Sequence, residues 1–242
     1  MRYLVFSDVH GNVEALEGAL AETDNLRPDI IVSLGDVVGY GANPNECIDV
    51  VQDCTHLRIG GNHDLAAAGI IDTEDFNRTA KQAIMWTSNM LDDEHRNILS
   101  GYDPVRHHGP CIFAHASPVC PLEWEYIYTL KQAGRIFEQV TEKFIFIGHT
   151  HIPGIITWER QNGCNVMQSS LVQIKPECRY LINVGSIGQP RDGIAAASFA
   201  LLDVKKQRIF IRRIPYDIRQ AQEKIRSVGL PESLASRLAT AR

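Results

Sequence analysis

Leu4-Val5-Phe6-Ser7-Asp8-Val9-His10-Gly11-Asn12 is an apolar run that breaks into a short polar loop carrying a carboxylate, an imidazole and an amide. A short apolar run bounded by glycine and polar residues predicts a buried strand. Val13, Leu16, Ala19 and Leu20 follow at helical spacing, so the loop reads as the turn between a strand and a helix. The arrangement recurs four times. Ile31-Val32-Ser33-Leu34 leads into Gly35-Asp36, and Leu57-Arg58-Ile59 into Gly60-Gly61-Asn62-His63-Asp64. Cys111-Ile112-Phe113-Ala114 leads into His115, and Phe144-Ile145-Phe146-Ile147 into Gly148-His149-Thr150-His151. In open α/β sheets the carboxyl ends of the strands form the ligand-binding edge, so these five loops are expected to meet.

Outward from these loops, a helix is expected over residues 43–51 with Pro44 in its first turn. A third strand follows at 56–59, a helical insertion at about 74–99, and a helix near 131–140. Strand–helix alternation of this kind implies a parallel core with helices on its faces. Later apolar runs at 154–158, 164–167, 179–184, 198–204 and 208–214 suit antiparallel additions to the same sheets. A polar helical tail occupies 217–242, broken at Gly229-Leu230-Pro231. With no repeat or linker in view, residues 1–242 are read as one α/β (α+β) domain.

Hydrophobic residues make up 44% and charged residues 22%, enough to bury a core. A formal net charge of −5 argues against non-specific nucleic-acid binding but leaves room for a small anionic substrate beside a metal. No apolar run approaches the roughly 20 residues of a membrane span, and the first residues lack the pattern of a secretory signal. The six cysteines show no metal-finger spacing, which suits reduced thiols in the cytoplasm.

The loops offer seven candidate ligands: Asp8, His10, Asp36, Asn62, His115, His149 and His151. Seven are too many for one tetrahedral ion and suit two ions that keep positions open for water and substrate. Asp36 stands alone in its loop and is the natural bridging carboxylate. Carboxylate, imidazole and amide without thiolate suit manganese, iron, zinc, nickel or cobalt better than calcium; manganese is favoured here.

Asp8-Val9-His10, Gly35-Asp36, Gly61-Asn62-His63-Asp64, His115 and Gly148-His149-Thr150-His151, in this order, resemble the motif series of the calcineurin-like metallophosphoesterases. The resemblance implies a four-layer αββα sandwich, with two mixed β-sheets face to face and helices outside. It implies that Asp8, His10 and His151 hold one divalent ion and Asn62, His115 and His149 the other, with Asp36 between. It implies phosphate-ester hydrolysis by a hydroxide bridging the two ions, with His63 as the catalytic histidine and Asp64 as its orienting carboxylate. One departure is Ala116, where many members have glycine after the fourth-motif histidine. Asn183-Val184-Gly185-Ser186-Ile187-Gly188-Gln189-Pro190-Arg191 resembles the glycine-rich C-terminal loop of bacterial members. Arg191 is therefore a candidate to grip a phosphate. Together with Gly39-Tyr40-Gly41, that loop resembles the branch containing diadenosine tetraphosphate hydrolases and serine/threonine phosphatases.

Blander readings stand beside these. Asn12 is a candidate substrate contact, or the cap of the helix starting at Val13. His56, His95, His107 and His108 lie outside the loops and read as ordinary hydrogen-bonded histidines. Tyr40, Trp86, Trp124 and Tyr126 read first as packing aromatics, with base stacking as the alternative. A small phosphorylated substrate is expected, with nucleotides among the candidates. A nuclease fits the net charge poorly, and a non-catalytic protein-binding scaffold fits poorly with ligands at every motif.

Overall fold

The computed structural model describes residues 1–242. The chain begins with strand β1 (Arg2–Phe6) and helix α1 (Val13–Leu20), and Asn12 caps that helix by accepting the Ala15 N–H at 3.1 Å. A short helix α2 (Thr23–Leu26) precedes β2 (Ile30–Ser33), α3 (Pro44–Cys54) and β3 (Leu57–Arg58). Pro44 stands in the first turn of α3, where its missing N–H is not needed. The Asn62 loop itself turns into helix, α4 (Asn62–Ala67), followed by α5 (Arg78–Met90) and α6 (Asp93–Ser100). Asn77 and Asp92 start these last two, each accepting the N–H three residues on.

The second half runs β4 (Val105–His108), β5 (Cys111–Ala114), α7 (Leu130–Gln139), β6 (Phe144–Ile147), β7 (Gly154–Glu159), β8 (Gly163–Val166) and β9 (Leu171–Gln173). It closes with β10 (Arg179–Asn183), β11 (Ala197–Asp203), β12 (Arg208–Ile214), α8 (Ile218–Ser227) and α9 (Glu232–Thr240).

The strands form two mixed six-stranded sheets, ordered β3-β2-β1-β11-β12-β9 and β4-β5-β6-β10-β7-β8. In the first, β3, β2 and β1 are parallel and the rest antiparallel. In the second, β5, β6 and β10 are parallel. β10, parallel to β6 but antiparallel to β7, thus departs in part from the antiparallel pattern expected of the later strands; β7, β8, β11 and β12 follow it, and β9, a strand not expected from the sequence, is antiparallel as well.

Alternation along β1 shows the layering. Tyr3 and Val5 join Val32, Phe113, Phe146, Ile182 and Leu202 in the core between the sheets. Leu4 and Phe6 point the other way, into Leu16, Ala19, Ile48 and Val51 of α1 and α3. On the far face, Ile112, Ile145 and Ile147 meet Ala133, Ile136 and Phe137 of α7. Strands covered on both faces are wholly buried, as β5, β6 and β11 are. The order helix, sheet, sheet, helix is the αββα sandwich. A further cluster joins α5 to α8 and α9 around Ala80, Ala83, Ile225, Leu234 and Leu238, with Tyr40 in its midst. No helix is long and apolar enough to cross a membrane.

Candidate metal centre

The five loops converge at the carboxyl ends of β1, β2, β3, β5 and β6. Backbone bonds lace them together: Asp8 N–H to Gly35 O at 3.0 Å, His10 N–H to Asp36 O at 2.9 Å and Gly148 N–H to His115 O at 2.8 Å. Asp8, His10, Asp36, His149 and His151 all have left-handed backbones, with φ between 51° and 63°. Non-glycine residues hold that conformation at a cost the surrounding bonds must offset, and such positions cluster at functional sites. Glycine is required where the loops touch: a Cβ at Gly61 would collide with Asp36 Oδ1, and one at Gly148 with Ser7 Oγ.

Two groups of side-chain donors result. Asp8, His10 and His151 bring ligand atoms within 4.8 Å of one another, as do Asp36, His115 and His149. A third such group, His10, Asp36 and His63, overlaps both the first and the second. His10 Nδ1 bonds Val38 O at 3.0 Å and His151 Nδ1 bonds Gln189 O at 2.6 Å. Since a carbonyl only accepts, each Nδ1 carries the proton and each neutral ring turns a lone pair inward from Nε2. Those two Nε2 atoms face each other at 3.2 Å. His115 Nδ1 likewise donates to Leu34 O at 3.0 Å, and its Nε2 faces His149 Nδ1 at 3.1 Å. The lone pairs of His10 and His151, opposed at this distance, repel unless a cation lies between them.

The carboxylates divide their oxygens. Asp36 Oδ1 accepts the His63 N–H at 2.8 Å, while Oδ2 lies 3.3 Å from His115 Nε2 and 3.7 Å from His10 Nε2. It therefore faces both groups at once. Asp8 Oδ2 accepts the His149 N–H at 3.0 Å, while Oδ1 lies 3.2 Å from His151 Nε2. Asp8 Oδ1 and Asn62 Oδ1 are buried with no hydrogen-bond partner. A buried acceptor left without a donor is costly, and a divalent ion satisfies it. Oxygen and imidazole donors without thiolate fit first-row divalent metals, so the residues fit the ions the sequence implies.

Charge in the cluster is set by burial and by neighbours. Burial raises the Asp8 and Asp36 carboxyls, but His151 beside Asp8 and His115 beside Asp36 outweigh it and hold both well below the ordinary range. Burial works against a charge on His115, yet Asp36 and Asp8 push its pKa up to about 9. Burial takes His149 down to about 3 and His63 down to about 4. Positive charge is thus demanded between the two aspartates and refused at most of the surrounding rings.

Two expected roles are corrected or narrowed by these contacts. Asp64 does not orient His63: its oxygens accept the Val38 and Gly61 N–H groups, each at 3.1 Å, and His63 Nδ1 is buried without a partner. Standing at the start of α4, Asp64 staples two loops, and burial with the nearby Asp36 charge pushes it up to about 7. Asn12 serves as the cap, and its amide nitrogen donates to Gly188 O at 2.9 Å, so both polar atoms are engaged. Ala116 lies outside the left-handed residues, so the departure from glycine leaves His115 in the centre. Arg191 reaches the edge of the centre, its N–H donating to His151 O at 3.2 Å. His56, His95, His107 and His108 bond elsewhere, to Ile31 N–H, Asp49, Glu142 and Tyr3 respectively.

The walls of the site were harder to read. Tyr126 stacks on His149 at 4.1 Å and on Tyr128 at 5.6 Å, and Trp124 stands edge-on to His115 at 6.0 Å. Tyr40 packs between the His10 and His63 rings, at 4.7 and 4.5 Å. Trp86 belongs to the α5–α8–α9 cluster instead. Arg237 of α9 approaches from the far end of the chain and donates to Gln189 Oε1 at 3.2 Å. No motif marks Arg237 or Tyr128; only the folded chain brings them here.

Known proteins resemble this chain in sequence and fold. A protein from Methanocaldococcus jannaschii, itself uncharacterised, is 37% identical over 97% of this chain and 96% of its own length. The crystal structure of a metallophosphoesterase from Sphaerobacter thermophilus superposes with a TM-score of 0.87 at 37% identity, covering 100% of this chain and 99% of that one. A hypothetical protein from Pyrococcus horikoshii has the same fold, with a TM-score of 0.82 at 19% identity over 100% of this chain and 98% of its own. The model of the calcineurin-like phosphoesterase superfamily domain matches residues 1–207, which span every loop of the centre. The chain belongs to the calcineurin-like phosphoesterase superfamily.

Proposed function

We propose that this protein is a dinuclear-metal phosphoesterase acting on small phosphate esters, with Asp8, His10 and His151 holding one divalent ion, Asn62, His115 and His149 the other, and Asp36 shared. The carrying observation is the pair of imidazole couples whose inward nitrogens oppose each other at 3.2 and 3.1 Å around Asp36. Manganese is the metal we favour among the first-row divalent ions that carboxylate, imidazole and amide donors suit. When bound, two such ions supply an acidic coordinated water and positive charge for the phosphoryl oxygens. The carbonyls of Val38, Leu34 and Gln189 hold the ligand rings in one tautomer, so the centre is built before substrate arrives.

His63 acts on the leaving oxygen in this reading. Its N–H is fixed by Asp36, and its ring lies 4.9 Å from that of His10 and edge-on to Phe76 at 5.1 Å. Arg191 takes a phosphate oxygen of the substrate with its guanidinium. The exposed, stacked Tyr126 and Tyr128 beside His149 favour a nucleotide or dinucleoside polyphosphate over a bare phosphoprotein. Six unpaired thiols support the cytoplasm as its compartment.

The test is metal analysis of the purified chain together with turnover in manganese on an aryl phosphomonoester, an aryl phosphodiester, diadenosine tetraphosphate and a phosphopeptide. Two metal equivalents and hydrolysis of at least one ester are expected. A chain that takes up no stoichiometric metal and cleaves none of the four is a scaffold, and the reading fails.

A further inference from the structure

Two arginines from distant parts of the chain converge on one neutral atom. Arg191 Nη2 donates to Gln189 Oε1 at 2.9 Å, and Arg237 Nη1 donates to the same oxygen at 3.2 Å. Gln189 is itself 2% exposed and uses its backbone carbonyl to orient His151, so the meeting point is fixed against the metal centre. Arg191 lies over the Tyr40 ring at 5.9 Å, and Tyr40 packs against His10 and His63. The Nε atoms of both arginines are buried and have no partner.

Such a pairing is unfavourable as it stands. No carboxylate answers Arg237: burial and the charge of Arg191 both act against its own charge, with only Tyr40 on the other side. Two like charges in a partly desolvated site raise the free energy unless an anion joins them. Planar guanidiniums with free N–H groups are matched to the oxygens of a phosphate. Arg237 lies on α9, beyond residues 1–207 matched by the superfamily model, while Gln189 and Arg191 lie within them.

We propose that Arg237 and Arg191 form a second anion subsite that takes the phosphate adjoining the one held at the metals, selecting substrates with consecutive phosphates. This rests on the phosphoesterase reading for the first phosphate. Arg191 lies over Tyr40, which packs on His10 and His63, while Tyr126 stacks on His149.

The test is titration calorimetry of the manganese-loaded full chain, in excess manganese, with methylenediphosphonate and with inorganic phosphate as probes. The diphosphonate should bind more tightly than phosphate to the native protein. Arg237→Gln should lower diphosphonate affinity about 10- to 100-fold, the range of a charged hydrogen-bonded contact, and lower phosphate affinity at least fivefold less. Arg237→Lys should recover part of the loss. Gln222→Ala removes the bond from α8 to the Ala235 carbonyl of α9 without touching the charge, and should retain native selectivity. Equal losses for both anions in Arg237→Gln, or the same loss in Gln222→Ala, would show that Arg237 only docks the helix. No preference for the diphosphonate in the native chain also overturns the subsite. Failure to hydrolyse any ester, with selective diphosphonate binding intact, discards the proposed activity and keeps the clamp.

Discussion

Asp36 and His63 are neighbours through one hydrogen bond, yet the tasks proposed for them are separable. Asp36 presents Oδ2 to both donor groups, so losing its charge should weaken both ions together. Asp36→Asn is expected to lower bound manganese from two equivalents to one or fewer. His63 contributes its backbone N–H to Asp36, and that survives any side-chain change. His63→Ala should therefore retain both ions and lose on the order of 10²–10⁴ in kcat, the range for a general acid or base. Metal content by plasma spectrometry and kcat on the best ester separate the two; full activity in His63→Ala removes its assigned role. The same scale shows where sequence reasoning reaches its limit. Each of the seven ligand candidates lies in a loop named by its own motif, because a short polar turn after an apolar strand is a local pattern. The direction of a side chain is not. Asp64 follows His63 directly but points back to Gly61 and Val38, since a residue at the start of a helix finds free N–H groups nearer than a neighbouring ring.

At the scale of elements, α6 is held to α3 by His95, whose nitrogens lie 2.9 Å from Asp49 and 2.9 Å from Asp92. Partial burial disfavours the imidazolium, but Asp49 and Asp92 outweigh it and raise its pKa above the ordinary value. A raised folded-state pKa contributes stability that is complete below the unfolded value of about 6.5 and is lost as pH climbs through the folded value. The stability difference between the native chain and His95→Gln should therefore be largest near pH 5.5 and shrink towards pH 9. Urea unfolding at the two pH values measures it; a difference that is constant or grows with pH rules out this ion pair as its source. The strands and helices themselves were largely legible, β6 and β12 at their observed bounds, because their apolar spacing reports burial. Missed elements lacked that signal. β4 is Val-Arg-His-His at a sheet edge, where it needs only β5 as partner, and β9 is three residues long. β10 reads as a strand, but its parallel pairing with β6 depends on which strand it meets across 31 intervening residues, from Gly148 to Cys178, and not on its own composition.

For the whole molecule, the centre is a joint between two sheets. Asp8, Asp36 and Asn62 follow strands of the first sheet; His115, His149 and His151 follow strands of the second. The interior between the sheets is apolar and close-packed, with Phe113 and Phe146 stacked at 5.3 Å, so it fixes the relative placement of the loops without any ion. The polar rim above that core is a different matter. Five left-handed candidate ligand residues, opposed imidazole nitrogens and buried unpartnered oxygens all oppose folding when no cation is present. Ions that bind this arrangement and not the unfolded chain must therefore stabilise it, by about 2.7 kcal/mol at a free concentration one hundred times Kd. For a chain of this size that is a rise in Tm on the order of 5–10 °C. Stripping metal with a chelator should lower Tm by this amount, and added manganese should restore it. Asp36→Asn, with the shared carboxylate charge gone, should show a much smaller response to either treatment. A native protein whose Tm is the same in chelator and in saturating manganese would mean that the two sheets are not joined through ions at all.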